Sequence, residues 1–119
     1  MDYFLKHNPT PILRTGKHWV VTTNISPYLG TTHHFIFVHK KHIESVTQLS
    51  SDASAELMKH VAWLSKKYNI KGGGFFMRYG EGNYTGGSVA HLHAQLLTGV
   101  KKSAHTFRIA TTLGYGKKK

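Results

Sequence analysis

The first third of the chain has short β-rich runs of apolar residues, separated by Pro and Gly, and no helical period. Residues 11–16 and 17–24 read as two short strands around the turn Thr15-Gly16-Lys17. The second carries Trp19-Val20-Val21-Thr22-Thr23, whose aromatic and β-branched side chains suit a pleated surface. Pro27 and Gly30 interrupt regular structure before residues 34–39 resume as a third strand. Side chains alternate along a strand, so Phe35 and Phe37 share one face, and His34, Ile36 and Val38 the other.

The period then changes. Over residues 51–68, Leu57, Val61, Leu64 and Tyr68 fall on one helical stripe with Met58 beside it, while Lys59 and His60 point away. Ser50 or Ser51 can cap this helix, Asp52 and Lys66-Lys67 complement its dipole, and Gly72-Gly73-Gly74 marks its exit. Residues 74–79 and 91–97 follow as two more strands joined by a Gly-rich connection. The order is three strands, a helix and two strands, which predicts an α+β fold: about five mainly antiparallel strands with one main helix on one face.

Length and composition narrow the picture. The 119 residues are expected to form a single domain, with residues 100–119 as a basic C-terminal extension. Sixteen Lys and Arg against five Asp and Glu give a formal charge of +11, which favours polyanionic partners such as nucleotides or nucleic acid. The chain has no cysteine, which removes disulfides, thiolate zinc ligands and a thiol nucleophile. Its ten histidines are therefore the main candidates for chemistry near neutral pH. No apolar run has signal-peptide or membrane-spanning length, so a cytoplasmic protein with no membrane partner is expected.

The last strand concentrates that chemistry. Along His91-Leu92-His93-Ala94-Gln95-Leu96-Leu97, alternation puts Leu92, Ala94 and Leu96 under the helix and places His91, His93 and Gln95 in a row opposite. Gly86, Gly87 and Ser88 stand at the entrance, where glycine permits close backbone approach to a phosphate. Three readings fit. The row can handle phosphate through a histidine nucleophile, or His91 and His93 can bind zinc with a third histidine, His34 or His42. They can also be half-buried residues satisfied by backbone groups.

His91-Leu92-His93-Ala94-Gln95-Leu96-Leu97 resembles the histidine-triad signature with Gln at the third His position. This His-x-His-x-Gln form is similar to the branch of the histidine-triad superfamily that contains galactose-1-phosphate uridylyltransferases and dinucleoside polyphosphate phosphorylases. The resemblance extends upstream to Asn24-Ile25-Ser26-Pro27-Tyr28, like the family's ribose-contacting turn. It continues through residues 34–42, like the family's central strand, with His39 where proline is usual. It implies nucleotidyl transfer or hydrolysis at an α-phosphate, with His93 as nucleophile, His91 buttressing it and no cofactor. It further implies that Ser88 contacts phosphate or leaving group, that His34 stands near the site, and that Asn24 and Ile25 bind the nucleoside. Gln95 cannot deliver a proton as an imidazolium can, so good leaving groups are expected. Charge on the transferred group then falls to Ser88, Gln95, backbone amides and Arg78. Gly80 stands where many members place a phosphate-contacting Asn, and Asn83, three residues on, is the candidate replacement. A homodimer is also implied. The competing functions are a zinc-dependent hydrolase and a non-enzymatic basic module for nucleotides or nucleic acid.

Overall fold

The computed structural model describes residues 2–118. A short helix, α1 (Asp2–His7), precedes β1 (Arg14–Thr15), β2 (Trp19–Thr23) and β3 (His33–His39). A single 3-10 turn, Val46–Gln48, leads into the long helix α2 (Ser51–Lys67). Then come β4 (Gly74–Phe76), a one-turn helix α3 (Gly82–Thr85) and β5 (His93–Thr98). The five strands form one sheet in the order β1-β2-β3-β5-β4, with every neighbouring pair antiparallel. This is the α+β arrangement that the hydrophobic pattern predicts.

The central strands β2, β3 and β5 are covered on both faces. On one, Trp19, Val21, Phe35, Phe37, Leu92, Ala94 and Leu96 form the main core with Leu57 and Leu64 of α2. On the other, Ile36 and Val38 pack with Phe4 of α1 and Val89. Alternation therefore separates the apolar trio of the last strand from His93 and Gln95 as expected.

Several boundaries shift. Pro11 has no N–H to give a ladder, and the first strand shrinks to Arg14–Thr15. The fourth strand ends at Phe76 rather than at Tyr79; just beyond, the Gly80 N–H turns to the Glu44 carbonyl at 2.9 Å. α2 is capped by Ser50, whose Oγ accepts from the Ala53 N–H at 3.1 Å. It ends at Lys67 with Tyr68 as its cap, before the glycines, and Asn69 then takes φ +50°, a left-handed conformation that Asn tolerates.

The buried stripe of α2 is also rotated from the expected one. It runs Ala53, Leu57, His60, Leu64, whereas Met58 is exposed. His60, expected to face outward, is held inside by Glu56 at 2.9 Å. Glu56 also accepts from the N–H groups of His18 and Trp19, both at 2.9 Å, which anchors the start of β2 to α2. Gly16 makes room for this carboxylate, because a Cβ there would lie 2.3 Å from Glu56 Oε2. Burial pushes the Glu56 carboxyl up, but the His60 ring and the two backbone N–H groups outweigh it and leave it below its usual value.

Candidate active site

His93 opens β5 on the sheet face away from α2. Its Nδ1 lies 2.8 Å from the His91 carbonyl, an acceptor only, so Nδ1 carries the proton and Nε2 keeps its lone pair. The Phe4 ring tilts over the imidazole with centroids 4.9 Å apart. Burial is the largest influence lowering the His93 pKa below the usual value; the His91 carbonyl opposes it and the Arg78 charge adds to it. Near neutral pH the ring is therefore uncharged and can act as a nucleophile.

Gln95 follows two residues later on the same face. The ring nitrogen His34 Nδ1 faces the Tyr28 backbone N–H at 3.2 Å and must accept, so His34 Nε2 carries the proton. That proton is donated to Gln95 Oε1 at 2.5 Å. With its oxygen engaged, the carboxamide acts through its N–H donors, one of which meets the Tyr28 hydroxyl. Burial lowers the His34 pKa, partly offset by the Gln95 bond, which keeps the ring in the neutral form this geometry needs. Register makes the contact: Ile36 pairs with Gln95 and His34 with Leu97, so His34 lies diagonally across from Gln95.

His91 departs from the expected row. It precedes the regular strand, is buried, and donates from Nε2 to the His39 carbonyl. Its Nδ1 therefore accepts from His42 Nδ1 at 3.2 Å, and His42 Nε2 stands 3.6 Å from Glu44 at the surface. Burial lowers the His91 pKa, with its bond to the His39 carbonyl opposing. His91 thus lines neither cavity at His93; it steadies the carbonyl that orients His93. This geometry also counts against the zinc reading. Among the described residues no three His, Cys, Asp or Glu side chains converge, and the ring nitrogens of His91 and His34 are committed elsewhere.

A cavity of about 470 Å³ opens over His93 and Gln95 and is lined also by Phe4, Asn24, Ile25, Arg78 and Ser88. A smaller one of about 210 Å³ shares His93, Ser88 and Arg78 and reaches Gly80 and Gly87. Asn24 is held by an Asx-type turn, its Oδ1 accepting from the Ser26 N–H at 2.9 Å. Asn83 and Gly86 line neither cavity. Asn83 is wound into α3, and Gly86 closes that helix at φ +77°. Arg78 borders both cavities instead.

Two contributors escape a sequence reading. Asn8 is buried and bridges the chain: its Nδ2 donates to the Thr23 carbonyl and its Oδ1 accepts from the Ile25 N–H, both at 2.8 Å. Phe4 supplies the apolar cover of His93. Neither belongs to a periodic pattern, and the only local signal is the Asn8-Pro9 break.

Replacing Arg78 with Gln should move the acid limb of a kcat/KM profile. The neutral His93 ring is the reactive form, so activity is lost as pH falls through its folded pKa, which burial holds below the usual imidazole range. Removing the Arg78 charge raises that pKa, and the limb shifts to higher pH. An unmoved limb, measured over pH 4.5 to 8, contradicts the assignment.

The HIT domain family model matches residues 6–102. A histidine triad protein from Clostridium difficile superposes with TM-score 0.68 at 21% identity, covering 89% of this chain and 97% of that one. A HIT family hydrolase from Clostridium thermocellum gives TM-score 0.63 at 22% identity, covering 89% and 93%. The Plasmodium falciparum diadenosine triphosphate hydrolase gives TM-score 0.61 at 16% identity, covering 82% and 64%. With most of its length matched by the family model, and the five-stranded sheet shared with these structures, the chain belongs to the HIT domain family.

Proposed function

We propose that this protein transfers a nucleoside monophosphate from a nucleotide with a good leaving group, through a covalent intermediate on His93. The observation that carries the reading is the orientation of two side chains in one cavity: His93 with Nε2 unprotonated, and Gln95 with its oxygen occupied by His34. In the first step the Nε2 lone pair attacks the α-phosphorus and the bond to the leaving oxygen breaks, its electron pair departing with the leaving group. In the second, an acceptor oxygen displaces His93, giving its proton to solvent and returning the ring to its neutral form. Gln95, Ser88 and Arg78 face the phosphoryl oxygens, while Asn24 and Ile25 face the nucleoside.

The carboxamide sets the substrate class. It can hydrogen-bond a phosphoryl oxygen but cannot protonate a departing amine, so a nucleoside diphosphate or sugar phosphate suits this site better than a phosphoramidate. This supports the His-x-His-x-Gln branch of the family, and the Plasmodium hydrolase's name makes dinucleoside triphosphates a suitable first substrate. Products from a dinucleoside triphosphate and from a nucleoside 5′-phosphoramidate, each with and without inorganic phosphate, test the proposal. Rapid release of a nucleoside diphosphate from the first, with the second at least about 100-fold slower, is expected. Equal rates on both would contradict the role given to Gln95.

A further inference from the structure

Among the described residues, the chain beyond β5 forms no helix or strand, yet it is fixed to the body at a few points, and these points are marked by glycine. Phe107 sits on Gly30, where φ is +90° and a Cβ would lie 2.5 Å from the ring. Thr112 sits on Gly86, where φ is +77° and a Cβ would lie 2.7 Å from Thr112 Cγ2. Gly114 passes the Tyr84 carbonyl so closely that its own Cβ would come within 2.9 Å. Between the segment and the edge of β4 and β5 lies a hollow of about 710 Å³. Phe107, Leu113 and Tyr115 remain 60–71% exposed. The segment is thus a shallowly held arch, not a part of the core.

The polar attachments of this arch to the candidate site gather on Arg78 and on the Tyr28 hydroxyl beside it, which also hydrogen-bonds the Thr111 side chain. Arg78 Nε donates to the Thr112 carbonyl at 2.6 Å, and Nη2 donates to Thr111 Oγ1 at 2.8 Å and to the Tyr28 hydroxyl at 3.2 Å. These bonds come from two nitrogens of a rigid planar group and hold its plane. Arg78 borders both cavities that meet at His93.

We infer that residues 107–115 act as a strap whose Thr111 hydroxyl and Thr112 carbonyl hold the Arg78 guanidinium ready for the phosphate of a bound nucleotide. Thr111 is a positioning residue: it acts on phosphate affinity through Arg78. The inference rests on the nucleotide-binding part of the function proposed above. A guanidinium already fixed binds an oxyanion without paying the entropy of its own immobilisation, so loosening the strap weakens phosphate binding while sparing the nucleoside.

The full chain tests this by titration calorimetry with AMP, GMP, CMP and UMP, each against its nucleoside. Thr111→Val should weaken nucleoside monophosphate binding about threefold to tenfold with nucleoside affinity unchanged. Arg78→Gln should weaken it further, and adding Thr111→Val to Arg78→Gln should cost nothing more. Equal losses for nucleotide and nucleoside, no loss, or additive losses would overturn the strap. An independent reading is the exchange rate of the Arg78 Nε–H by NMR, in the wild type and in Phe107→Ala, which unseats the arch from Gly30. Protection in the wild type that is lost in Phe107→Ala supports the strap even if no nucleotide binds, in which case the proposed function has failed instead. Rapid exchange in the wild type overturns the strap whatever binds.

Discussion

His93→Ala should lower nucleotidyl transfer at least about 10³-fold while leaving nucleotide affinity within about threefold. The neighbouring side chains are not placed to substitute. Gln95 carries no lone pair of comparable nucleophilicity, His34 has one nitrogen bonded to the Tyr28 N–H and the other to Gln95, and His91 is turned to the His39 carbonyl. The groups that face the nucleoside, Asn24 and Ile25, are untouched by the change. Turnover and affinity measured on the same preparation separate the outcomes. Retained turnover, within about tenfold of the wild type, would show that a group other than His93 attacks phosphorus.

Gln95→Glu should reduce transfer about 10²-fold or more, through a different route. A carboxylate can still accept the His34 Nε2–H, so the strand and the diagonal contact survive. What changes is the other half of the group: two N–H donors become a second acceptor oxygen bearing charge. Gln95 is 4% exposed, so that charge is poorly screened and faces the incoming phosphate. Both binding and turnover should suffer, and lowering the pH should partly restore binding as the carboxyl protonates, while turnover stays limited by protonation of His93. A Gln95→Glu variant as active as the wild type at pH 8 would mean that Gln95 does not contact the phosphoryl oxygens.

The period-two pattern of the last strand was enough to separate Leu92, Ala94 and Leu96 from His93 and Gln95, because alternation is a local property of an extended chain. It could not show that the strand begins only at His93, which takes His91 out of the row and gives it a supporting place beside His42. Strand register is a long-range matter, and only register brings His34 to Gln95. The helix was legible in extent, but its buried face was misjudged at His60: a histidine reads as polar until its partner Glu56 is seen one turn back. The fixing of Arg78 is illegible for a similar reason, since Thr111 and Thr112 lie more than 30 residues away in sequence. Phe4 and Asn8 contribute through tertiary packing that no short motif encodes.

The central claim is the covalent intermediate, and intact-protein mass measurement tests it most directly. The wild type is mixed with a dinucleoside triphosphate, quenched within milliseconds into base, and weighed. The account predicts an added mass of one nucleoside monophosphate less water, stable in base, lost in acid, mapped by peptide fragmentation to His93 and absent from His93→Ala. Turnover with no such adduct at any quench time, or an adduct that maps elsewhere or persists in His93→Ala, would contradict it.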